Sequence, residues 1–312
     1  MKKTILTTLL VIAAITVNAQ FLFRINGGGL QKPSYILGSV HTMPGTILDS
    51  IPEYLKAEEA CQQLYVEMNL NSQQQMDEVK NAGQQATTLP DGKTIFDVLT
   101  HEQLDALNYR FKETFEVELT DSTMKSSWNY QPFVFPSSFT MIFTLKEMVK
   151  HPELGMAGKP IDGVCITRAQ ERGMTIGQLD QIQSQDSLQK MRDIWMENID
   201  VQIDSLMSFL EHFDERKQQA IDEVLSVVSV GKYWKSGDYD SFSTDSFWLS
   251  QLEKSPALFK QRNEKWMPKI TDAMQQAPTL FVFGAGHLIG KDGIVNKLRE
   301  AGYQVEQIKL CR

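Results

Sequence analysis

The chain has 312 residues, a formal net charge of −8 at pH 7 and three cysteines. An acidic chain with no block of basic residues is a poor partner for nucleic acid or for an anionic membrane surface. The cysteines, at positions 61, 165 and 311, are scattered and do not form the framework of a disulfide-stabilised domain. The length suffices for one large domain or two small ones.

The N-terminus has the pattern of a secretory signal peptide. Two lysines precede an apolar run from Thr4 to Val17, and Ala19 completes a small-residue cleavage site. The run is shorter than the roughly 18 apolar residues of a membrane span, which favours removal over anchoring. We therefore expect residues 1–19 to be removed and residues 20–312 to form an exported periplasmic or secreted protein without stable membrane insertion.

Short β-branched and aromatic runs alternate with long helical patterns along the rest of the chain, as in α/β proteins. Five runs are predicted strands: Ser34–Val40, Gln63–Met68, Met174–Leu179, Pro278–Phe283 and Tyr303–Ile308. A helical stretch followed by glycine or proline leads into each of the last three. The prediction is an α/β fold with a mainly parallel central sheet.

Two mostly helical blocks separate these strands, at about residues 70–160 and 184–275. In the first block, Thr100 and Gln103 form a capping-box pattern that predicts the start of a helix. In the second, apolar residues recur at helical spacing from Ile203 onward. Because no linker-like composition sets the blocks apart, we expect large helical insertions that cover the sheet within one domain.

Polar residues stand at the predicted carboxyl ends of four strands. The first strand ends at Gly38-Ser39-Val40-His41, the second at Glu67, the third at Asp180 and the fourth at Gly284-Ala285-Gly286-His287. The ligand crevice of an open parallel sheet lies outside this edge, so these side chains should lie together. Glycine at a strand end lets the chain turn sharply and lets backbone approach a ligand. The paired Gly-x-x-His turns, with Glu67 between them, are the candidate site.

Each of these residues also has a structural interpretation. Either histidine could be a loop residue bonded to backbone. Glu67 follows apolar residues, and its carboxylate is costly to bury unless a cation, a network of donors or water faces it; a structural salt bridge would suffice. Asp180 could cap a helix that begins near Ser184. Two Gly-x-x-His turns, each at the end of a predicted strand, favour a functional site over these structural interpretations.

The segments Tyr35–His41, Tyr65–Glu67 and Phe281–Gly290 resemble the TraB/GumN family. That family is similar to the TIKI metalloproteases and more distantly to the erythromycin-esterase and ChaN-like proteins. The resemblance covers nearly all of the chain after the signal peptide, with weaker matches around Asp162, Asp180 and Arg262-Asn263. At position 180 the chain has Asp where the family usually has Glu, which puts the role of this carboxylate in doubt.

The resemblance implies a TIKI-like, metal-dependent hydrolase that acts as a peptidase on peptide or small-molecule substrates. His41, Glu67 and His287 would bind a divalent metal such as Mn, Co or Zn, and Arg262 would complete the catalytic set. Imidazole and carboxylate ligands suit these metals. The resemblance gives supporting roles to seven flanking residues: Gly38, Ser39, Asp162, Asp180, Asn263, Gly284 and Gly286.

Two alternatives stay open. One is a haem- or metal-binding envelope protein of the ChaN-like kind, in which a histidine is an axial ligand and no bond is broken. The other is a metal-free, esterase-like hydrolase in which His41 or His287 is the general base for water or for Ser39. A Soret band would identify a haem protein, and activity that resists chelators would identify the metal-free hydrolase.

Overall fold

The computed structural model describes residues 21–68, 87–154, 158–180 and 198–309. The predicted signal peptide and the helix start predicted near Ser184 lie outside these residues. One sheet holds six strands: β1 Leu22–Gly27, β2 Ser34–Ser39, β3 Gln63–Val66, β4 Thr175–Gln178, β5 Thr279–Gly284 and β6 Tyr303–Gln307. All five predicted strands are present, with ends that differ by one or two residues.

The strands are ordered β4-β3-β5-β2-β1-β6 across the sheet. The neighbours from β4 to β2 pair in parallel, whereas β1 pairs antiparallel with both β2 and β6. The prediction of an α/β fold with a mainly parallel sheet is confirmed. Because β2, β3, β4 and β5 run in the same direction, their carboxyl ends meet at one edge.

Helices cover the sheet. In the described residues they are α1 Pro52–Ala60, α2 Ile95–Val98, α3 His101–Phe115, α4 Val134–Met148, α5 Ile161–Glu171, α6 Ile199–Glu211, α7 Phe213–Ser236, α8 Tyr239–Thr244, α9 Ser246–Lys254, α10 Lys260–Gln276 and α11 Ile294–Glu300. Single 3-10 segments lie at Gly45–Ser50, Pro90–Gly92, Ser122–Ser127, Pro152–Leu154 and Ala285–Leu288. The two predicted helical blocks thus contain α2 to α4 and α6 to α10.

The start of α3 confirms the predicted capping box. The Thr100 side chain accepts a hydrogen bond from the backbone N–H of Gln103 at 3.3 Å, and the Gln103 side chain accepts one from the Thr100 N–H at 2.9 Å. Two N–H groups that the first helical turn leaves without partners are satisfied in this way.

Two hydrophobic cores meet along one helix. The sheet core lies between the strands and the helices nearest them and includes Trp266 and Phe281. The helical core is rich in phenylalanine, includes Phe139, and lies among α2, α3, α4, α6 and the first half of α7. The 24-residue helix α7 begins in the helical core with Phe213 and ends in the sheet core with Trp234. This helix therefore joins the insertions to the sheet.

Two of the three cysteines lie in the described part of the chain. Cys61 and Cys165 are free and buried, and burial raises the pKa of each thiol to about 12. Cys311 lies outside the described residues. In the part of the chain that the structure describes, no helix is long and apolar enough to cross a membrane.

Candidate functional site

The parallel strands deliver the four predicted side chains to the same edge. His41 lies two residues after β2, Glu67 directly follows β3, Asp180 lies two residues after β4, and His287 lies in the 3-10 turn after β5. The pairing of β3 with β4 continues past the strands, since the Asp180 N–H donates to the Glu67 carbonyl at 3.0 Å.

Glu67 is the centre of the cluster. Its Oε1 lies 3.4 Å from His41 Nε2 and 3.8 Å from His287 Nε2, and accepts a hydrogen bond from the Gly284 N–H at 2.7 Å. A Cβ at Gly284 would lie 2.9 Å from His41 Nε2 and 3.2 Å from Glu67 Oε1. Glycine is therefore the residue that lets the β5 backbone reach this carboxylate.

His41 is held from its far side by Asp162, in the first turn of α5. His41 Nδ1 donates to Asp162 Oδ2 at 2.9 Å, and Ser39 Oγ donates to Asp162 Oδ1 at 3.0 Å. Burial alone would lower the pKa of His41, but the bonds with Asp162 and Glu67 outweigh it and raise this pKa to about 10. His41 is thus an imidazolium at neutral pH, and with 55% of its side chain exposed it is open to solvent.

His287 is held in the neutral form, in contrast to the imidazolium of His41. Its Nδ1 donates to Asn263 Oδ1 at 2.7 Å, and Asn263 Nδ2 donates to the His287 carbonyl at 3.3 Å, which sets the orientation of the amide. Nε2 therefore carries the lone pair. Burial is the main cause that lowers the pKa of His287 to about 4, against the attraction of Glu67. The ring is 4% exposed and packs 4.4 Å from the Trp266 ring, so it is neutral at pH 7.

Arg262, on the first turn of α10, places a positive charge between the carboxylates of Glu67 and Asp180. Its Nη2 donates to Glu67 Oε2 at 2.5 Å and to Asp180 Oδ2 at 2.6 Å, and its Nη1 lies 3.2 Å from His287 Nε2. Burial would raise the pKa of Glu67, but the bond with His41, the neighbouring imidazoles and the Gly284 N–H hold that pKa well below its usual range. Glu67 is therefore ionised.

Asp180 holds Arg262 and Trp266 in place. Its Oδ1 accepts from Trp266 Nε1 at 2.7 Å and from Arg262 Nε at 3.2 Å. The guanidinium also lies 4.6 Å from the centre of the Trp266 ring, within cation–π range. Glu67 and Arg262 thus link the side chains of His41, Asp180 and His287 in one network, and the carboxylate at position 180 acts on it through Arg262. Gly38 and Gly286 lie beside this network, against Leu288 and Phe259 respectively.

The donor atoms suit a divalent metal in type and direction. Both histidines bond an oxygen acceptor through Nδ1 and turn Nε2 toward Glu67, which is the arrangement that orients metal-binding imidazoles in proteins. Arg262, however, stands among the donors. In the arrangement of the described residues, no three His, Cys, Asp or Glu side chains are spaced to hold a metal ion.

Sequence reasoning missed the aromatic surroundings of His287. Phe259 and Trp266 lie 5.3 Å and 4.4 Å from its ring, and both come from the region of α10. The spacing of Arg262 and Trp266, one helical turn apart, was the available signal, because such residues share a helix face.

Fold and site together define a class of α/β protein in which two Gly-x-x-His turns enclose a partly buried carboxylate at the carboxyl edge of the sheet. The chain belongs to the TraB/PrgY/gumN family, whose model matches residues 21–307. It is also similar to the metalloprotease TIKI1 of Danio rerio, with 38% identity over 52 residues. That segment covers 16% of this chain and 10% of the relative. No solved structure matches the chain.

Proposed function

We propose that the protein is a metal-dependent hydrolase of the peptidase type, with its reaction centre at His41, Glu67 and His287. One observation carries the proposal. Two imidazoles, each fixed through Nδ1, direct Nε2 at the same carboxylate oxygen, Glu67 Oε1. The partial similarity to a protein named as a metalloprotease supports the same class of reaction.

Each residue of the cluster would have a distinct role in the reaction. His41, Glu67 and His287 would hold a divalent metal, which supplies a Lewis acid that polarises a carbonyl group and makes water more acidic. Arg262 carries a positive charge beside this position and would stabilise negative charge that develops on the substrate. Asp162 and Asn263 fix the two imidazole rings, so they are positioning residues.

The metal-free alternative has less support from the geometry. Without a metal, His41 as general base would have to be unprotonated at neutral pH, yet its pKa is raised to about 10. A divalent metal that binds His41 would displace this proton. His287 is 4% exposed, so substrate water does not reach it readily. Ser39 is 2% exposed, so a substrate carbonyl group does not reach its hydroxyl readily. Haem binding is also disfavoured, because the His287 side chain is 4% exposed and its ring packs 4.4 Å from the Trp266 ring.

A cavity of about 440 Å³ next to His287 favours a substrate with an apolar side chain. Phe259, Asn263 and Gly286 line it, and each is part of the wall or backbone around His287. The remaining apolar lining comes from Leu249, Leu252, Pro256 and Ile289, and four charged residues also line the cavity: Glu253, Lys260, Lys291 and Asp292. An apolar residue of a peptide that enters this cavity would bring the neighbouring peptide bond close to the cluster.

We further propose that the protein acts outside the cytoplasm, because the first residues have the signal-peptide pattern described above. N-terminal sequencing of exported material should find a start within a residue or two of Gln20. Full-length protein that begins at Met1 in a membrane fraction would contradict export in this form.

Metal content and activity test the proposed function together. Elemental analysis should find a divalent metal in the wild type and much less in His41→Ala and His287→Ala, while His212→Ala, at the junction of α6 and α7, should keep the wild-type content. Hydrolysis of a mixture of fluorogenic peptides should stop on chelation and return with Mn²⁺, Co²⁺ or Zn²⁺. Glu67→Gln should lower turnover by about 10²-fold or more. Wild-type metal content in both histidine variants, or activity that survives exhaustive chelation, would overturn the proposal.

A further inference from the structure

Arg262 stands where a metal would have to bind. Its Nη1 lies 3.2 Å from His287 Nε2, and its Nη2 donates to Glu67 Oε2. The neutral imidazole of His287 has one lone pair at Nε2, and that lone pair either accepts the Arg262 N–H or binds a metal, but not both. Together with the His41 imidazolium, this guanidinium provides the positive charge that stabilises the partly buried Glu67 carboxylate in the absence of a metal.

To release His287, the planar guanidinium of Arg262 would have to pivot as a whole about its pair with Asp180, which keeps it in the site. Asp180 is bonded by Nε and Nη2, whereas His287 is bonded by Nη1. Because the Arg–carboxylate pair is bidentate and lies against the Trp266 ring, it fixes the guanidinium at the Asp180 end. Nη1 is the nitrogen at the free end, next to the cluster.

We propose that Arg262 is a built-in cation that closes the metal position, and that its Nη1 must release His287 Nε2 before this nitrogen can bind a divalent metal. The inference rests on the metal site of the proposed function. It predicts that Arg262 competes with the metal, so the arginine sets how tightly a metal is held. Asp180, as the anchor of Arg262, is a positioning residue for this competition.

The test is a titration with Co²⁺ alone, followed by its visible absorption and by calorimetry, on wild type and Arg262→Met. The variant removes the guanidinium and keeps an unbranched side chain of helical propensity. It should bind Co²⁺ about 10-fold more tightly or better, since the bond to His287 no longer has to be broken. Arg262→Lys keeps a positive charge near the two carboxylates but lacks the planar guanidinium with its paired N–H donors. Its Co²⁺ affinity should therefore rise as well, by a smaller factor.

A matched control is available in Arg168→Met. Arg168 is 19% exposed, compared with 21% for Arg262, and likewise pairs with two carboxylates, Asp49 and Glu58, away from the cluster. Its Co²⁺ affinity should equal that of wild type. The double variant Arg262→Met with His287→Ala should lose the gain, which locates the extra affinity at His287. Thermal unfolding of each variant shows that it is folded.

The outcomes separate the inference from the proposed function. Tighter Co²⁺ binding by Arg262→Met supports the inference, including the case in which wild type shows no measurable binding. Equal or weaker binding by both Arg262 variants, with a wild type that binds, overturns the inference and leaves the metal site standing. Binding by neither wild type nor the variants overturns both. A gain that survives in the double variant also overturns the inference.

Discussion

Gly284 lies against two of the functional side chains. An alanine Cβ there would stand 2.9 Å from His41 Nε2 and 3.2 Å from Glu67 Oε1, closer than ordinary contact. We expect Gly284→Ala to push these groups apart, to cost about 1–3 kcal/mol of unfolding free energy and to abolish most of the hydrolysis. Denaturant unfolding and peptide turnover measure the two effects.

Gly231→Ala is the control for this substitution. Gly231 lies inside α7, where the nearest atom to an added Cβ is Met43 Sδ at 3.9 Å. Replacing a helical glycine should stabilise the protein by about 0.5–1 kcal/mol and leave turnover unchanged. Wild-type turnover in Gly284→Ala would show that the close approach of backbone to Glu67 is not needed.

The protonation of His287 predicts a dependence of stability on pH. Its pKa is about 4 in the folded protein, against an ordinary value of 6.5. Between these values the unfolded imidazole binds a proton that the folded one does not, so stability falls as the pH drops from 6.5 to 4. This group should contribute up to about 3 kcal/mol of that fall.

His287→Gln should therefore lose less unfolding free energy between pH 7 and pH 4 than wild type does. Urea unfolding at several pH values measures the slope. His101→Gln, at the exposed start of α3, is the control for the loss of a histidine elsewhere in the chain. Identical slopes for wild type and His287→Gln would mean that burial does not hold this imidazole neutral.

The sequence predicted which carboxylates and imidazoles meet, but not how they are paired. His41, Glu67, Asp180 and His287 could be placed because each stands at the end of a predicted strand, and parallel strands share one edge. The pairing of Arg262 could not be placed in this way. Its partners Glu67 and Asp180 lie 195 and 82 residues away in the chain, and the contact depends on how α10 packs over the sheet.

At the scale of elements, α7 is tied to the first Gly-x-x-His turn. Trp234, near its end, is fully buried, and its Nε1 donates to the Gly38 carbonyl at 2.6 Å. We expect Trp234→Phe to cost about 1–3 kcal/mol of unfolding free energy, because the indole bond is lost, and to lower turnover, because Gly38 begins the turn that carries His41. Denaturant unfolding and peptide turnover measure both.

Trp128→Phe is the matched control for this variant. The Trp128 Nε1 also donates to a backbone carbonyl, that of Leu119 at 2.7 Å, but within the helical insertion. A similar loss of stability with unchanged turnover is expected. If both variants affect turnover equally, the bond between α7 and β2 has no special part in positioning the turn.

Strand β1 was not predicted from the sequence, and its position in the chain explains why. Its run Leu22–Gly27 begins three residues after the predicted signal peptide, so it has no preceding helical pattern that would mark it as a strand of the alternating α/β series. Its pairing partner β6 stands at the other end of the chain. Strands joined through helices could be predicted from helix-to-strand joints, whereas this antiparallel pairing has no local signal.

At the scale of the whole molecule, two cores share one helix. The sheet core and the helical core are separate clusters of buried side chains, yet α7 contributes Phe213 to one and Trp234 to the other. If either core opened alone, the half of α7 that packs in it would lose its apolar partners. The prediction that residues 20–312 form one domain therefore implies a single unfolding transition.

Paired core variants test this cooperativity. Phe139 in the helical core and Phe281 in the sheet core are both fully buried, so Phe139→Ala and Phe281→Ala should each cost about 3–5 kcal/mol. Tyr109→Ala, at a side chain that is 68% exposed, should change stability by less than about 0.5 kcal/mol. Each core variant should shift one transition that tryptophan fluorescence and far-UV circular dichroism report at the same denaturant concentration. If Phe139→Ala instead loses helical signal first while the buried tryptophans of the sheet core stay protected, the insertions unfold on their own and the one-domain prediction is wrong.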